Sequence, residues 1–182
     1  MNRYLAILFS CGLSLGLIHP PSHAQDAQQP KYVKSKSGVT TIFSVKEAPT
    51  DIYTVMAQVA VRELSASSIA IVDDRSAYGS GEIDSFRSAV RKLGGTIAIT
   101  IYVSDKTTSF GDAARQLRTA GSDVVVTFTS DVIAGRFVRQ MADIGLTPKV
   151  ILPDETCSST VYMRMTAGRI PDEMQYCMAL AK

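Results

Sequence analysis

Residues Ile69, Ala70, Ile71 and Val72 form an apolar run bounded by polar residues, the pattern of a short strand covered on both faces. Asp73 and Asp74 end the run, a polar turn follows, and Gly79 and Gly81 lead into a segment of helical period. There Ile83, Phe86, Val90 and Leu93 share one face, and Gly94 with Gly95 stops the helix. The alternation then repeats. Residues 96–103 (TIAITIYV) and 123–129 (DVVVTFT) predict strands, as do 149–152 (KVIL). Between them lie a helix marked by Phe110, Ala113, Ala114 and Leu117 that ends near Gly121, and a helix over 132–144 stopped by Gly145. Strands separated by helices of about a dozen residues predict an α/β fold, a parallel sheet with right-handed crossovers and helices on both faces.

Upstream, residues 40–45 (TTIFSV) read as a short strand, and Pro49, Thr50 and Asp51 supply helix-capping chemistry. Ile52, Val55, Met56, Val59, Ala60 and Leu64 continue at helical spacing, a core stripe. Residues 25–39 are polar and predict a leader ahead of a lobe over 40–153. From 154 to 182 the methionines Met163, Met165, Met174 and Met178 are scattered, and the expectation is an irregular tail.

Residues 1–24 carry Arg3, a mostly apolar run from 5 to 18, and a small-x-small sequence at Ser22, His23 and Ala24, the signature of a cleaved secretory signal peptide. The run is too short to read as a membrane span. Both histidines, His19 and His23, fall within residues 1–24, and the chain has no Trp. A His-based catalytic triad or His metal site is therefore disfavoured in the mature chain, and no cofactor is expected. Lys plus Arg number 19 against 17 Asp plus Glu, with no basic stripe, which disfavours nucleic acid as a partner. Cys157 and Cys177, 20 residues apart, are compatible with a disulfide in an exported protein, though spacing alone does not require one.

In open parallel sheets, ligands gather outside the carboxyl ends of the strands. Three loops leave those ends: the one from Asp73 to Tyr78, the one with Ser130 and Asp131, and the one with Asp154 and Glu155. Their carboxylates, hydroxyls and one phenol suit a small ligand bearing an ammonium group. The same residues also suit helix capping and strand termination. The acidic pair after Val72 is shared with phosphorelay receiver domains, but Lys149 begins its strand where that fold needs a Lys after it. Around Ser80 the spacing is not G-x-S-x-G, and the glycines do not make a dinucleotide fingerprint. An enzyme is not expected.

Taken in order, Phe43 with Pro49 and Asp51, the IAIVDD-x-x-x-YG-x-G segment, Lys92 to Gly95, Gly121-x-Asp123-Val-Val, and Phe137-x-x-Gln140-x-x-x-x-Gly145-Leu146 resemble the Leu/Ile/Val-binding proteins. These are periplasmic solute-binding proteins of ABC importers, with two α/β lobes that close on an amino acid. The resemblance runs from about residue 43 to about 154 and covers most of the second lobe. It implies three ligand contacts: Tyr78, Ser130 and Asp154, the last meeting the ligand's ammonium group. Ser130 stands where an aromatic is common in aliphatic-ligand binders, which argues against an aliphatic specificity. The implied partners are an amino acid and an inner-membrane ABC permease, with self-association through the exposed lobe face, and the implied location is the periplasm. Since the first lobe has no counterpart here, two expectations stand: a working transport component, or a truncated remnant without transport function.

Overall fold

A computed structural model describes residues 32–37, 40–46, 51–75, 80–167, 169–171 and 173–180. The predicted signal peptide at 1–24 lies outside these residues. Among the described residues seven strands form one sheet: β1 (Tyr32–Ser37), β2 (Thr40–Val45), β3 (Ile69–Asp73), β4 (Ile97–Tyr102), β5 (Val124–Phe128), β6 (Lys149–Pro153) and β7 (Gln175–Leu180), in the order β1-β2-β7-β6-β5-β3-β4. Every pairing from β2 to β4 is parallel, and only β1 with β2 is antiparallel. Among the described residues six helices connect them: α1 (Ile52–Gln58), which continues into a π-helical turn at Val59–Glu63, α2 (Ser80–Lys92), α3 (Gly111–Ala120), α4 (Asp131–Asp143), α5 (Asp154–Ser158) and α6 (Thr160–Thr166). None of these helices is long and apolar enough to cross a membrane.

Period-two alternation in the strands sends side chains to two cores. Ile69 and Ile71 of β3 join Val124, Val126 and Phe128 of β5 beneath α1 and α2. Ala70 and Val72 join Val125, Val150 and Leu152 on the other face, beneath α3, α4 and α6. All five residues of β3 and of β5 are buried, which is why residues 69–72 and 124–126 read as apolar runs. The helix stops work as their glycines predict. Gly121 takes φ 61° at the end of α3, a left-handed conformation that costs other residues more. Gly95 is required by space: a Cβ there would meet Val61 Cγ2 at 2.6 Å, so α1's extension packs directly on the turn before β4.

Two expectations from the sequence need correction. Tyr32–Ser37, inside the stretch read as a polar leader, forms β1 on the outer edge of the sheet. A polar, lysine-bearing segment suits an edge strand, and its composition conceals it. The stretch read as an irregular tail contains α5, α6 and β7. β7 lies between β2 and β6, although its sequence, QYCMAL, contains no β-branched residue. Its place is set by burial of Tyr176, Cys177 and Met178 within the sheet rather than by β propensity. Cys157 and Cys177 form a disulfide, with Cα atoms 6.0 Å apart, joining α5 to β7.

Candidate functional site

Parallel pairing brings the carboxyl ends of β3, β5 and β6 to one edge. Asp73 pairs with Phe128 across β3 and β5, and Val126 pairs with Ile151 across β5 and β6. Ser130 follows β5 as the N-cap of α4, and Asp154 follows β6 as the first residue of α5. The backbones of two of the three predicted contacts therefore share the edge. Tyr78 lies outside the described residues, in the segment between Arg75 and α2.

The loop acids are mostly committed to structure. Asp74 Oδ2 accepts the Ser130 N–H at 2.7 Å, and the Asp74 N–H donates to the Phe128 carbonyl at 3.2 Å, joining the β3 loop to the β5 loop. Asp73 Oδ1 accepts the Arg75 N–H at 2.7 Å. That closes a tight turn in which Arg75 adopts φ 59° and its guanidinium lies 3.8 Å from the Tyr102 ring centre. Asp131 Oδ1 accepts the Val132 N–H, and its Oδ2 accepts the Ser159 hydroxyl at the start of α6. Capping and strand termination thus account for Asp73, Asp74 and Asp131.

Ser130 differs from them. Although it caps α4, its hydroxyl makes no capping bond and has no partner among the described residues, and the residue is half-buried. Beside it, the Thr129 hydroxyl is buried and likewise unpartnered among those residues. The polar side chains most available at the end of β5 are hydroxyls.

Sequence spacing missed Tyr53. Asp51 caps α1, accepting the Tyr53 N–H at 3.0 Å, and accepts the hydroxyls of Thr54 and Ser85 at 2.7 Å each. Burial favours the neutral acid, but these bonds outweigh it and hold the Asp51 carboxyl below its usual range. The Tyr53 ring then lies against Phe128, with centroids 6.0 Å apart, at the end of β5. Burial first, and the carboxylates of Glu82, Asp51 and Glu155 next, push its phenol up. Tyr53 therefore stands where the starts of α1, α2 and α5 converge, and its hydroxyl has no partner among the described residues. The available signal was a tyrosine two positions after a capping Asp, off the apolar stripe of its helix.

Among the described residues no group of three or more His, Cys, Asp or Glu could hold a metal ion. Grooves of about 550 and 500 Å³ flank β4, lined by residues such as Arg87 and Arg91 or Ile99 and Arg115, and include none of the predicted contacts.

A parallel sheet flanked by helices on both faces, with the Thr129 and Ser130 hydroxyls unpartnered among the described residues at the end of β5, defines an open α/β lobe. The model of the family described as periplasmic binding protein matches residues 27–160; the chain belongs to that family, and its fold is that of a lobe of type I periplasmic binding proteins. It is 30% identical over 108 residues to the Leu/Ile/Val-binding protein homolog 3 of Brucella melitensis, a match covering 59% of this chain and 29% of that protein. The fold is similar to the branched-chain amino-acid transporter substrate-binding protein LivJ of Streptococcus pneumoniae, solved with isoleucine, at TM-score 0.57 and 19% identity, covering 65% of this chain and 34% of that one. It is also similar to a solute-binding protein of an R. palustris ABC transporter solved with 4-hydroxybenzoate, at TM-score 0.52 and 22% identity, covering 59% and 30%. The chain spans less than a third of the length of the curated relatives it matches.

Proposed function

We propose that the chain acts as a solute-binding component of an amino-acid ABC import system, exported to the periplasm and serving an inner-membrane permease. The observation that carries this reading is the half-buried Ser130 hydroxyl. It is unpartnered among the described residues and stands at the same sheet edge as the first residue of α5, Asp154. Asp154 neutralises the ligand's ammonium group, while Ser130 and Tyr78 orient the ligand through hydroxyl hydrogen bonds. The chemistry is recognition alone: a carboxylate and two hydroxyls hold a zwitterion without making or breaking a bond. Related proteins were solved with isoleucine and with 4-hydroxybenzoate, which is compatible with a specificity set by such edge residues. A hydroxyl at Ser130 favours a polar ligand over an aliphatic one.

Isothermal titration of the exported chain against a panel of amino acids tests the proposal. Saturable heat with one or a few of them supports a binding component. No heat with any of them contradicts it and favours the remnant without transport function.

A further inference from the structure

α5 is five residues long, and its N-cap, Pro153, contributes no side-chain hydrogen bond. So short a helix has little stability of its own. It follows β6 directly and brings Asp154 to the candidate edge. Features that hold it include these three. Thr156 is buried; Ser159, at the junction with α6, bonds Asp131 at the start of α4; and Cys157 is linked to Cys177. Only the last is covalent, and its far end is firmly set. Cys177 is buried in β7, paired with Ile42 of β2 on one side and Leu152 of β6 on the other. Cys157 itself is partly exposed and packs at the margin of the core beneath α4.

We propose that the Cys157–Cys177 disulfide is the positioning element of the candidate site, fixing α5 to the centre of the sheet, and that a dithiol reductant releases it. This rests on the site reading above for its functional meaning, but its structural content does not. A thiolate of the dithiol attacks the partly exposed Cys157 sulfur, the protein S–S bond breaks, and the Cys177 thiolate leaves and takes up a proton. The second thiol of the reductant then displaces Cys157 as a thiol and closes the reductant's own disulfide. Two electrons and two protons pass from the dithiol to the protein. β7 keeps both neighbours throughout, so the sheet holds while α5 loses its tether.

Backbone NMR relaxation on the exported chain, oxidised and with excess dithiothreitol, tests this without any ligand. The expected result is a fall in the order parameters of residues 154–159 from about 0.85 to below about 0.6, with β3 and β5 unchanged. The C157S/C177S double variant should show the lowered values from the outset and not respond to dithiothreitol. Unchanged order parameters at 154–159 on reduction would overturn the proposal. So would a uniform loss of order across β3 and β5, which would mean that the disulfide supports the whole fold and not this helix. Because no ligand enters the measurement, its failure is separate from failure to bind an amino acid.

Discussion

Ser130 gives its backbone N–H to Asp74 Oδ2 at 2.7 Å while its own hydroxyl stays uncommitted among the described residues. One residue thus joins two strand-end loops through its backbone and leaves its side chain available. Asp74→Ala removes a charge-assisted acceptor that is almost fully buried, and should cost about 1.5–3 kcal/mol. Ser130→Ala removes no bond seen among the described residues and should stay within about 0.5 kcal/mol of the parent. Urea denaturation of the two variants checks the contrast. Equal losses would mean that the serine hydroxyl is structural after all.

Asp51 caps α1 and ties it to α2 through Ser85. Asp51→Ala should cost about 1 kcal/mol, the ordinary value of a lost cap. The hydrogen bonds also set a pH dependence. Its carboxyl lies lower in the folded chain than the ordinary 3.8, so the stabilisation is fully present above that value and is lost as pH falls through the lower folded one. Thermal melts between about pH 5 and pH 2 should show the parent losing more stability than Asp51→Asn.

The Tyr162 hydroxyl donates to Gln175 Oε1 at 2.5 Å, and burial pushes its phenol well above the ordinary range. Tyr162→Phe leaves a buried acceptor poorly satisfied and should cost about 1–3 kcal/mol by chemical denaturation. The neutral phenol is favoured in the fold, so this stabilisation holds below pH 10 and drains away as pH rises beyond it. Tyr162→Phe should accordingly blunt alkaline unfolding.

Gly95→Ala brings a methyl group against Val61 at a separation that packed atoms do not tolerate. About 1–3 kcal/mol should be lost in the same assay, with no change at the candidate edge.

Much of this architecture can be read from residue order. The strands β3 to β6 are short apolar runs rich in Val and Ile, and the helices between them keep an apolar face and end at glycine. For β3, β5 and β6 that pattern follows from burial on both sides of a parallel sheet, while β4, the outer strand, is only partly covered. The pattern sets the edge that the backbones of Ser130 and Asp154 share. β7 escaped because only Tyr176 of its six residues has a marked strand preference, and Gln, Cys, Met, Ala and Leu give no strand pattern. α5 and α6 escaped because they are too short for a periodic stripe, although Ser159 caps α6 with bonds from the Val161 and Tyr162 N–H groups. At the site, residue type alone does not separate Ser130 from Asp74 and Asp131. The difference lies in which polar atoms the fold has already used. Tyr53 lies off the apolar stripe of its helix, and only the topology, which brings its ring against Phe128 at the end of β5, marks it out.

The most direct test compares amino-acid affinity by isothermal titration for the parent chain, Asp154→Ala and Ser130→Ala. An ammonium group held by a carboxylate predicts a loss of about tenfold or more for Asp154→Ala, and a smaller loss, under about tenfold, for Ser130→Ala. Undiminished affinity in Asp154→Ala, or a larger loss in Ser130→Ala, would contradict the assignment of this edge as the wall that holds the ligand's charge.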